Sequence, residues 1–199
     1  MTRDDVDLIE RRVAWQGYGR VAVFRLRYRR FDGAWSEPVE REIFERAAVA
    51  AVVPYDPLRD EVVLIRQFRP GAYAAGRDPW LWEIVAGIVE PGEALEAVAA
   101  REAQEEASLT LTDLIRVYDF LPSPGALSEV CTLFCGRVDA SGAGGHHGLA
   151  SEGEDIAVEA LAFDRAMALL ADNRIDNGKT IVGLQWLALN REALRRRWS

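Results

Sequence analysis

Cysteine is scarce in this chain: Cys131 and Cys135 are its two cysteines in 199 residues. Both fall in one apolar run that reads as a strand, where four positions span about 13 Å, well beyond the roughly 7 Å Cα limit for a disulfide. A disulfide between them is excluded, and buried thiols are expected. Long apolar runs are missing too. Nothing approaches the ~20 residues that a membrane-spanning helix needs, and the opening MTRDDVDLIERR carries no apolar secretory segment. A cytoplasmic setting with no membrane partner is the expectation. Net positive charge is also lacking. The formal charge is −8, which argues against a general nucleic-acid or anionic-membrane partner, because those surfaces demand a basic face. An anionic small molecule is still admissible where arginines cluster locally. No internal repeat is visible. Low complexity is confined to Ala140 to Gly153, a Gly-rich stretch containing His146 and His147 that reads as a mobile loop. Adjacent histidines on such a loop are read as solvated, since a zinc site wants more ligands at defined spacing.

What is present is enough hydrophobic content, 49%, for the packed core of one ordinary domain with a small appendage. From Val21 to Tyr28 apolar and basic residues alternate with the period of a half-exposed strand. Asp32-Gly33 signals a turn before Val39 to Phe44, which together predict an N-terminal antiparallel hairpin. Val49 to Val53, Glu61 to Gln67 and Leu81 to Val85 read as further strands, followed by Leu114 to Phe120, Val130 to Val138 and Ile156 to Phe163. Two helices close the chain, one from about Arg165 to Ala171 capped by Asp164, the other from about Lys179 to Asn190 after a break at Asp176-Asn177-Gly178. Strands interleaved with helices predict an α/β sandwich with an N-terminal β appendage.

The most informative segment is GIVEPGEALEAVAAREAQEEASL, from Gly87 to Leu109. Glu90-Pro91-Gly92-Glu93 turns the chain into a helix on which Leu95, Val98 and Ala99 form an apolar stripe. Glu102 and Glu106 continue that same stripe. Two glutamates at i and i+4 repel by a few tenths of a kcal/mol, roughly, and no Lys or Arg stands four residues from either. Arg101 is placed to pair with Glu105, which leaves Glu102 and Glu106 to be neutralised by something else. A hard divalent cation fits, because Mg²⁺ takes oxygen ligands and favours one or two carboxylates together with substrate phosphates.

Gly87, Glu93, Arg101-Glu102 and Glu105-Glu106 together resemble the sequence box of the Nudix hydrolases. Ser108 stands where that family usually has Gly at the helix end, and Ala103 where a larger aliphatic is common. A glycine would ease a left-handed cap, so Ser108 is expected to cost a little stability. Arg41-Glu42-Ile43-Phe44-Glu45-Arg46, Gln67-Phe68-Arg69, Ser123-Pro124-Gly125 with Glu129, the Gly148-to-Ile156 loop and Asp176-Asn177 extend the likeness over nearly the whole chain, toward the ADP-ribose pyrophosphatase branch. The resemblance implies an α/β/α Nudix sandwich with a mixed sheet over residues 47–199. It also implies an N-terminal antiparallel β region, residues 1–46, exchanged across a homodimer so that substrate lies between subunits.

Carried over position by position, the resemblance implies Mg²⁺ held by Glu102 and Glu106, by the backbone carbonyl of Ala86 and by Glu154, with about two or three ions in the site and Mn²⁺ able to substitute. Glu152 on the later loop is the implied catalytic base, Glu105 a weaker candidate for the catalytic and metal-binding set, and Arg101 the residue that orients the glutamates. Gly87 and Glu93 shape the turn and helix start. Arg41, Glu42, Arg46, Arg69 and Ile88 are the implied substrate contacts around the diphosphate, ribose and adenine. The Ser123-Pro124-Gly125 backbone and Glu129 lie toward the terminal ribose, and Tyr18 stacks on adenine. Guanidinium forks suit phosphate oxygens and stack on bases. The implied activity is Mg²⁺-dependent hydrolysis of ADP-ribose to AMP and ribose 5-phosphate. Another nucleoside diphosphate sugar such as GDP-mannose, or a non-catalytic ADP-ribose-binding sensor, is the alternative, and a decapping enzyme is disfavoured for want of a basic surface.

Overall fold

Residues 1–149 and 153–198 are described by the computed structural model. They divide into two compact units: Met1–Ala47 with Leu121–Val130, and Ala48–Phe120 with Cys131–Ser199.

In the first unit β1 (Val6–Gln16), β2 (Arg20–Tyr28) and β3 (Val39–Glu45) form an antiparallel sheet in that order. The hairpin expected from β2 and β3 is present. β1 is an addition to the sequence reading, and its register explains why it was hidden. The pairing with β2 slips between Leu8 and Glu10 and again between Val13 and Trp15. Each bulge resets the alternation that marks a strand. Ion pairs tie the sheet across its strands, Arg27 to Asp7 at 2.7 Å and both Arg11 and Arg20 to Glu45. The 121–130 segment runs beside the end of β3, where Phe44 N–H donates to the Ala126 carbonyl at 2.8 Å and Ser128 N–H donates to that of Phe44.

The second unit contains β4 (Val49–Asp56), β5 (Glu61–Phe68), α1 (Pro70–Ala74), β6 (Trp80–Glu83), β7 (Val85–Ile88), α2 (Leu95–Ala107) and β8 (Asp113–Phe120). It continues with β9 (Cys131–Arg137), β10 (Gly144–His147), β11 (Ile156–Ala162), α3 (Phe163–Ala171) and α4 (Gly178–Trp198). Its sheet runs β10-β11-β5-β4-β9-β8, mixed because β4 and β9 are parallel while the other pairs are antiparallel. β4 is buried along its whole length, as its unbroken apolar run requires of a strand covered on both faces. α3 and α4 pack on one face, with Leu64, Leu133, Leu184 and Leu187 in that layer. α2 packs on the other, with Val63, Ile65, Val98 and Ala99. The result is a helix–sheet–helix sandwich, and each fully buried aliphatic in these layers contributes about 1.5–3 kcal/mol.

Several boundaries differ from the sequence expectation. The apolar run from Leu81 to Val85 is two strands. β4 and β5 pair only near their turn, through Tyr55 with Val62 and Asp56 with Glu61, and then separate. β6 joins β5 and β7 joins β4 in the gap. The break between them is satisfied from α4: Ile84 N–H donates to Thr180 Oγ1 at 3.0 Å, and Asn177 Nδ2 donates to the Trp82 carbonyl at 2.6 Å. Asn177 also accepts from Thr180 N–H at 3.1 Å, capping α4. Ala140 to Gly153 is not loop throughout, because β10 pairs with β11 along Gly144 to His147. Asp164 does not cap α3. Ala162 holds that position without a side-chain bond, and Asp164 lies in the first turn, where its charge suits the helix dipole. α4 runs past Asn190 to Trp198, because Leu194 and Trp198 are buried and the Trp198 indole N–H donates to Asp113 at 2.7 Å. α1 was unforeseen; Pro70 opens it at a position where a missing N–H costs nothing. Cys131 and Cys135 are buried in β9. Among the described residues, no helix is long and apolar enough to cross a membrane.

Candidate active site

α2 lies over β7 and carries the carboxylates onto it. Val98, Ala99, Ala103 and Ala107 anchor the inner stripe of the helix, and Glu106 is buried within it at 2% exposure. Its carboxylate accepts the Ala86 N–H at 3.1 Å. One turn earlier, Glu102 lies against Gly87, where any Cβ would overlap its carboxylate. The box glycine is therefore required by packing: only a bare backbone leaves room for Glu102 above the strand. Ala86 to Ile88 pair with Val49 to Ala51 of β4, so the strand beneath the carboxylates is held in the sheet.

The expectation that Glu102 lacks a protein partner is corrected. Arg101 Nη1 reaches Glu102 at 2.7 Å as well as Glu105 at 3.0 Å, and Arg101 Nε lies 3.6 Å from Glu93. Neighbouring side chains on a helix do not ordinarily face each other, but the long arginine folds over the helix surface and clamps three carboxylates. Glu93 in turn accepts the Glu90 N–H at 2.9 Å and closes the turn before α2.

Burial pushes the Glu106 carboxyl up to about 8; the Ala86 N–H bond opposes this, the charges of Glu102 and Glu154 add to it, and Arg69 opposes it. Glu102 is also raised by burial, against the pull of Arg101. A buried carboxylate with one hydrogen bond and a second carboxylate one turn away suit a hard divalent cation. Among the described residues no group of three or more His, Cys, Asp or Glu side chains is arranged to hold an ion. Two carboxylates beside backbone oxygen match the complement that Mg²⁺ uses when substrate phosphates and water fill the rest of its shell. Ala86, Glu102 and Glu106 fit it.

Arg69 is brought to the same electrostatic neighbourhood by a residue that the sequence reading passed over. Glu83, 5% exposed, accepts from Arg69 at 2.8 and 2.7 Å and from Gln67 Nε2 at 3.1 Å. A carboxylate inside an otherwise apolar run marks Glu83 as a residue that needs a partner, but which partner it takes is set by the pairing of β6 with β5. Glu154 is bonded back to Leu149. Its carboxylate accepts Leu149 N–H, and its own N–H donates to the Leu149 carbonyl, both at 3.2 Å. Gly148 permits that fold-back, at φ +97 with Glu154 Cβ 2.8 Å from where a Cβ would stand. Glu152, the implied base, lies outside the described residues.

The first unit gathers its own candidates. The Arg46 guanidinium carbon lies 5.5 Å from the Tyr18 ring centre and 5.6 Å from that of Phe44, so Tyr18 stacks on Arg46. Arg46 N–H donates to Ser128 Oγ at 3.1 Å, and Ser123 to Leu127 form the adjoining turn, with Pro124 and Gly125 at its exposed tip. Arg41 and Glu42 are exposed on β3 opposite Phe24 and Val23, and Glu129 is partly buried. His146 is exposed, whereas His147 is not simply solvated: its Nδ1 is 3.2 Å from Ser108 Oγ.

A glycine-floored carboxylate pair with a braced arginine in its electrostatic neighbourhood has the chemistry that suits a divalent cation and phosphate oxygens. The NUDIX domain family matches residues 45–184, and the chain belongs to the Nudix hydrolase family. It is 45% identical over 197 residues to the ADP-ribose pyrophosphatase of Escherichia coli K12, covering 99% of this chain and 94% of that one. With the ADP-ribose pyrophosphatase of Haemophilus influenzae it shares 38% over 200 residues, covering 99% and 92%. The GDP-mannose pyrophosphatase of an Enterobacter species is 31% identical over 153 residues, 76% of this chain and 78% of that one. A solved structure described as an ADP compounds hydrolase superposes with a TM-score of 0.72 at 19% identity, covering 100% of this chain and 98% of the other, which supports the fold.

Proposed function

We propose that the protein hydrolyses the diphosphate bond of ADP-ribose, giving AMP and ribose 5-phosphate in a Mg²⁺-dependent reaction. The observation that carries the reaction type is the pairing of buried Glu106 with Glu102 over Gly87, beside Arg69. The substrate is supported by full-length likeness to ADP-ribose pyrophosphatases, against a shorter and weaker likeness to the GDP-mannose enzymes.

In this reading Glu102, Glu106 and the Ala86 carbonyl would hold the cation, with Glu154 as a further donor. When bound, Mg²⁺ neutralises diphosphate charge and makes water a better nucleophile. Arg101 fixes the directions of Glu102 and Glu105, and Arg69, braced by Glu83, binds diphosphate oxygens. Glu152 removes the proton of the attacking water. The water oxygen bonds to one phosphorus, the bond from that phosphorus to the bridging oxygen breaks, and the bridging oxygen leaves with the other phosphate. Tyr18, Arg41, Glu42, Arg46, Ile88, the Ser123-Pro124-Gly125 turn and Glu129 bind the nucleoside and terminal ribose.

The same reading includes a homodimer built through the N-terminal β region, and a cytoplasmic setting. Dimerisation is supported by β1, an edge strand on which Leu8, Ile9, Val13 and Trp15 are 43–55% exposed.

Incubation with Mg²⁺ and equimolar ADP-ribose, GDP-mannose, ADP-glucose and diadenosine polyphosphates, with chromatography of products, tests the proposal. AMP and ribose 5-phosphate should dominate. Preference for GDP-mannose would move the substrate and keep the chemistry. ADP-ribose binding without turnover of any compound would make the protein a sensor.

A further inference from the structure

The face of the sheet away from α2 carries a second concavity. β5 alternates between the two layers: Val63 and Ile65 face α2, Val62 and Leu64 face α4, and Arg66 continues the α4 side. There it lines a cavity of about 370 Å³ with Arg77, Trp80, Trp82, Arg174 and Asp176. That volume lies in the range of small-molecule sites.

The cavity is unlike the surrounding protein in its charge. The chain carries −8 overall, yet three arginines line this space with two carboxylates, and both carboxylates are already engaged. Asp176 accepts from Arg77 at 2.9 and 3.2 Å, and Asp78 accepts the Trp80 N–H at 3.1 Å. Arg66 and Arg174 have no carboxylate partner among the described residues. Arg66 is also the better prepared of the two. Its guanidinium carbon lies 5.1 Å from the ring centre of its cross-strand neighbour Trp82, a cation–π contact. Its Nε is buried with no protein hydrogen-bond partner. A buried donor left over in this way calls for an acceptor that the protein does not supply. Beside it Trp80, 57% exposed, packs edge-on to Phe68 at 5.7 Å and leaves indole surface open.

We propose that this cavity is a second ligand site, separate from the Glu102–Glu106 site, that takes a small phosphate monoester. Its phosphate bonds to Arg66 and Arg174, whose planar forks match phosphate oxygens, and its organic part rests on Trp80. A nucleoside monophosphate and a sugar phosphate share this chemistry. The first would gain stacking on the indole that the second lacks.

The test uses the whole protein in EDTA, titrated with AMP, ribose 5-phosphate, inorganic phosphate and, as an uncharged control, adenosine. Binding is followed by the Arg66 Nε–H resonance, assigned by its loss in Arg66→Met, and by tryptophan emission. A saturable shift of that resonance with a phosphate monoester and not with adenosine is expected. Emission titrations should weaken by about tenfold or more in Arg66→Met and in Arg174→Ser and be unchanged in Glu106→Gln. AMP binding tighter than ribose 5-phosphate assigns the site to nucleotides, and equal binding assigns it to sugar phosphates. The proposal is overturned by no saturable change up to about 5 mM, by equal affinities in wild type and both arginine variants, or by loss of binding in Glu106→Gln. Arg174 is exposed, so its variant keeps the test decisive if Arg66→Met fails to fold.

Discussion

Ser108 Oγ lies 3.2 Å from His147 Nδ1, and the same imidazole places Nε2 2.8 Å from the Gly144 carbonyl oxygen. A carbonyl only accepts, so Nε2 carries the proton and Nδ1 accepts from the serine hydroxyl. Ser108 holds the left-handed cap of α2 at φ 53, a conformation that costs a non-glycine residue roughly 1–2 kcal/mol. The hydroxyl recovers part of that cost by tying the end of the carboxylate helix to β10. Ser108→Ala should lose about 1 kcal/mol of stability, whereas Ser108→Gly should be close to neutral, since it gives up the bond and relieves the backbone. Urea unfolding of Ser108→Ala, His147→Ala and the double variant checks the pairing. Additive losses would show that the two side chains do not support each other.

The contact between Gly87 and Glu102 makes a sharper forecast. A methyl at position 87 must drive the Glu102 carboxylate from its place over β7. Displacing a reacting group by about 1 Å costs on the order of 100-fold in rate. Gly87→Ala should therefore lower kcat/KM for ADP-ribose by about that factor while the protein stays folded by circular dichroism. Wild-type kinetics in this variant would remove Glu102 from the cation site.

Those two positions also show how far the sequence could be read. The α2 stripe was legible because helical periodicity and the box residues agree, and the inner face of the helix falls as the spacing requires, through Val98, Ala99, Ala103 and Glu106. Strands with clean alternation or unbroken apolar runs, β2 and β4 among them, were equally plain. β1 was not, because its bulges at Ile9 and Ala14 break the two-residue period. β10 was not, because Gly144-Gly145-His146-His147 has no β-forming residue and its pairing comes wholly from β11. The brace of Glu83 on Arg69 and the clamp of Asn177 on the β6–β7 break are tertiary contacts, and the reach of Arg101 to its neighbour Glu102 depends on how a long side chain folds over the helix. No local pattern encodes them.

The raised Glu106 pKa sets the direction of a pH effect in the metal-free protein. Below the ordinary value of 4.5, folded and unfolded states are both protonated at this position. From there up to about 8 the unfolded chain gives up the proton that the folded chain keeps, so Glu106 lowers stability progressively through that window and the loss levels off above it. Glu106→Gln keeps the volume and removes the titration. In EDTA it should gain stability over wild type by a few kcal/mol, roughly, as pH rises from 5 to 8, and it should lose turnover in Mg²⁺. Parallel unfolding profiles for the two proteins across that range would refute the assignment. Added Mg²⁺ should release protons at pH 7, measurable with an indicator dye, because the cation requires the ionised carboxylate.

Asp60 ties α4 to the turn between β4 and β5. It accepts from Tyr55 Oη at 2.7 Å and from Arg191 Nε at 2.8 Å, its other oxygen pairs with Arg191 and lies 3.4 Å from Arg195, and Arg191 sits 4.2 Å from the Phe163 ring centre. The Asp60 and Arg191 side chains are only 21% and 24% exposed. Removing one partner strands the other, and Arg191→Met should cost about 2–3 kcal/mol, a little below the loss for a fully buried pair. Asp60→Asn should cost less, because asparagine tolerates the left-handed φ of 58 and still accepts from Tyr55. The bond from Arg191 holds the Asp60 carboxyl below its ordinary 3.8. Its stabilisation is therefore complete above that value and is lost as pH falls through the depressed folded one. Wild type should show this extra acid loss as pH falls below 3.8, and Asp60→Asn should lack it. If both proteins lose stability equally on acidification, the Asp60–Arg191 pair contributes nothing to the anchoring of α4.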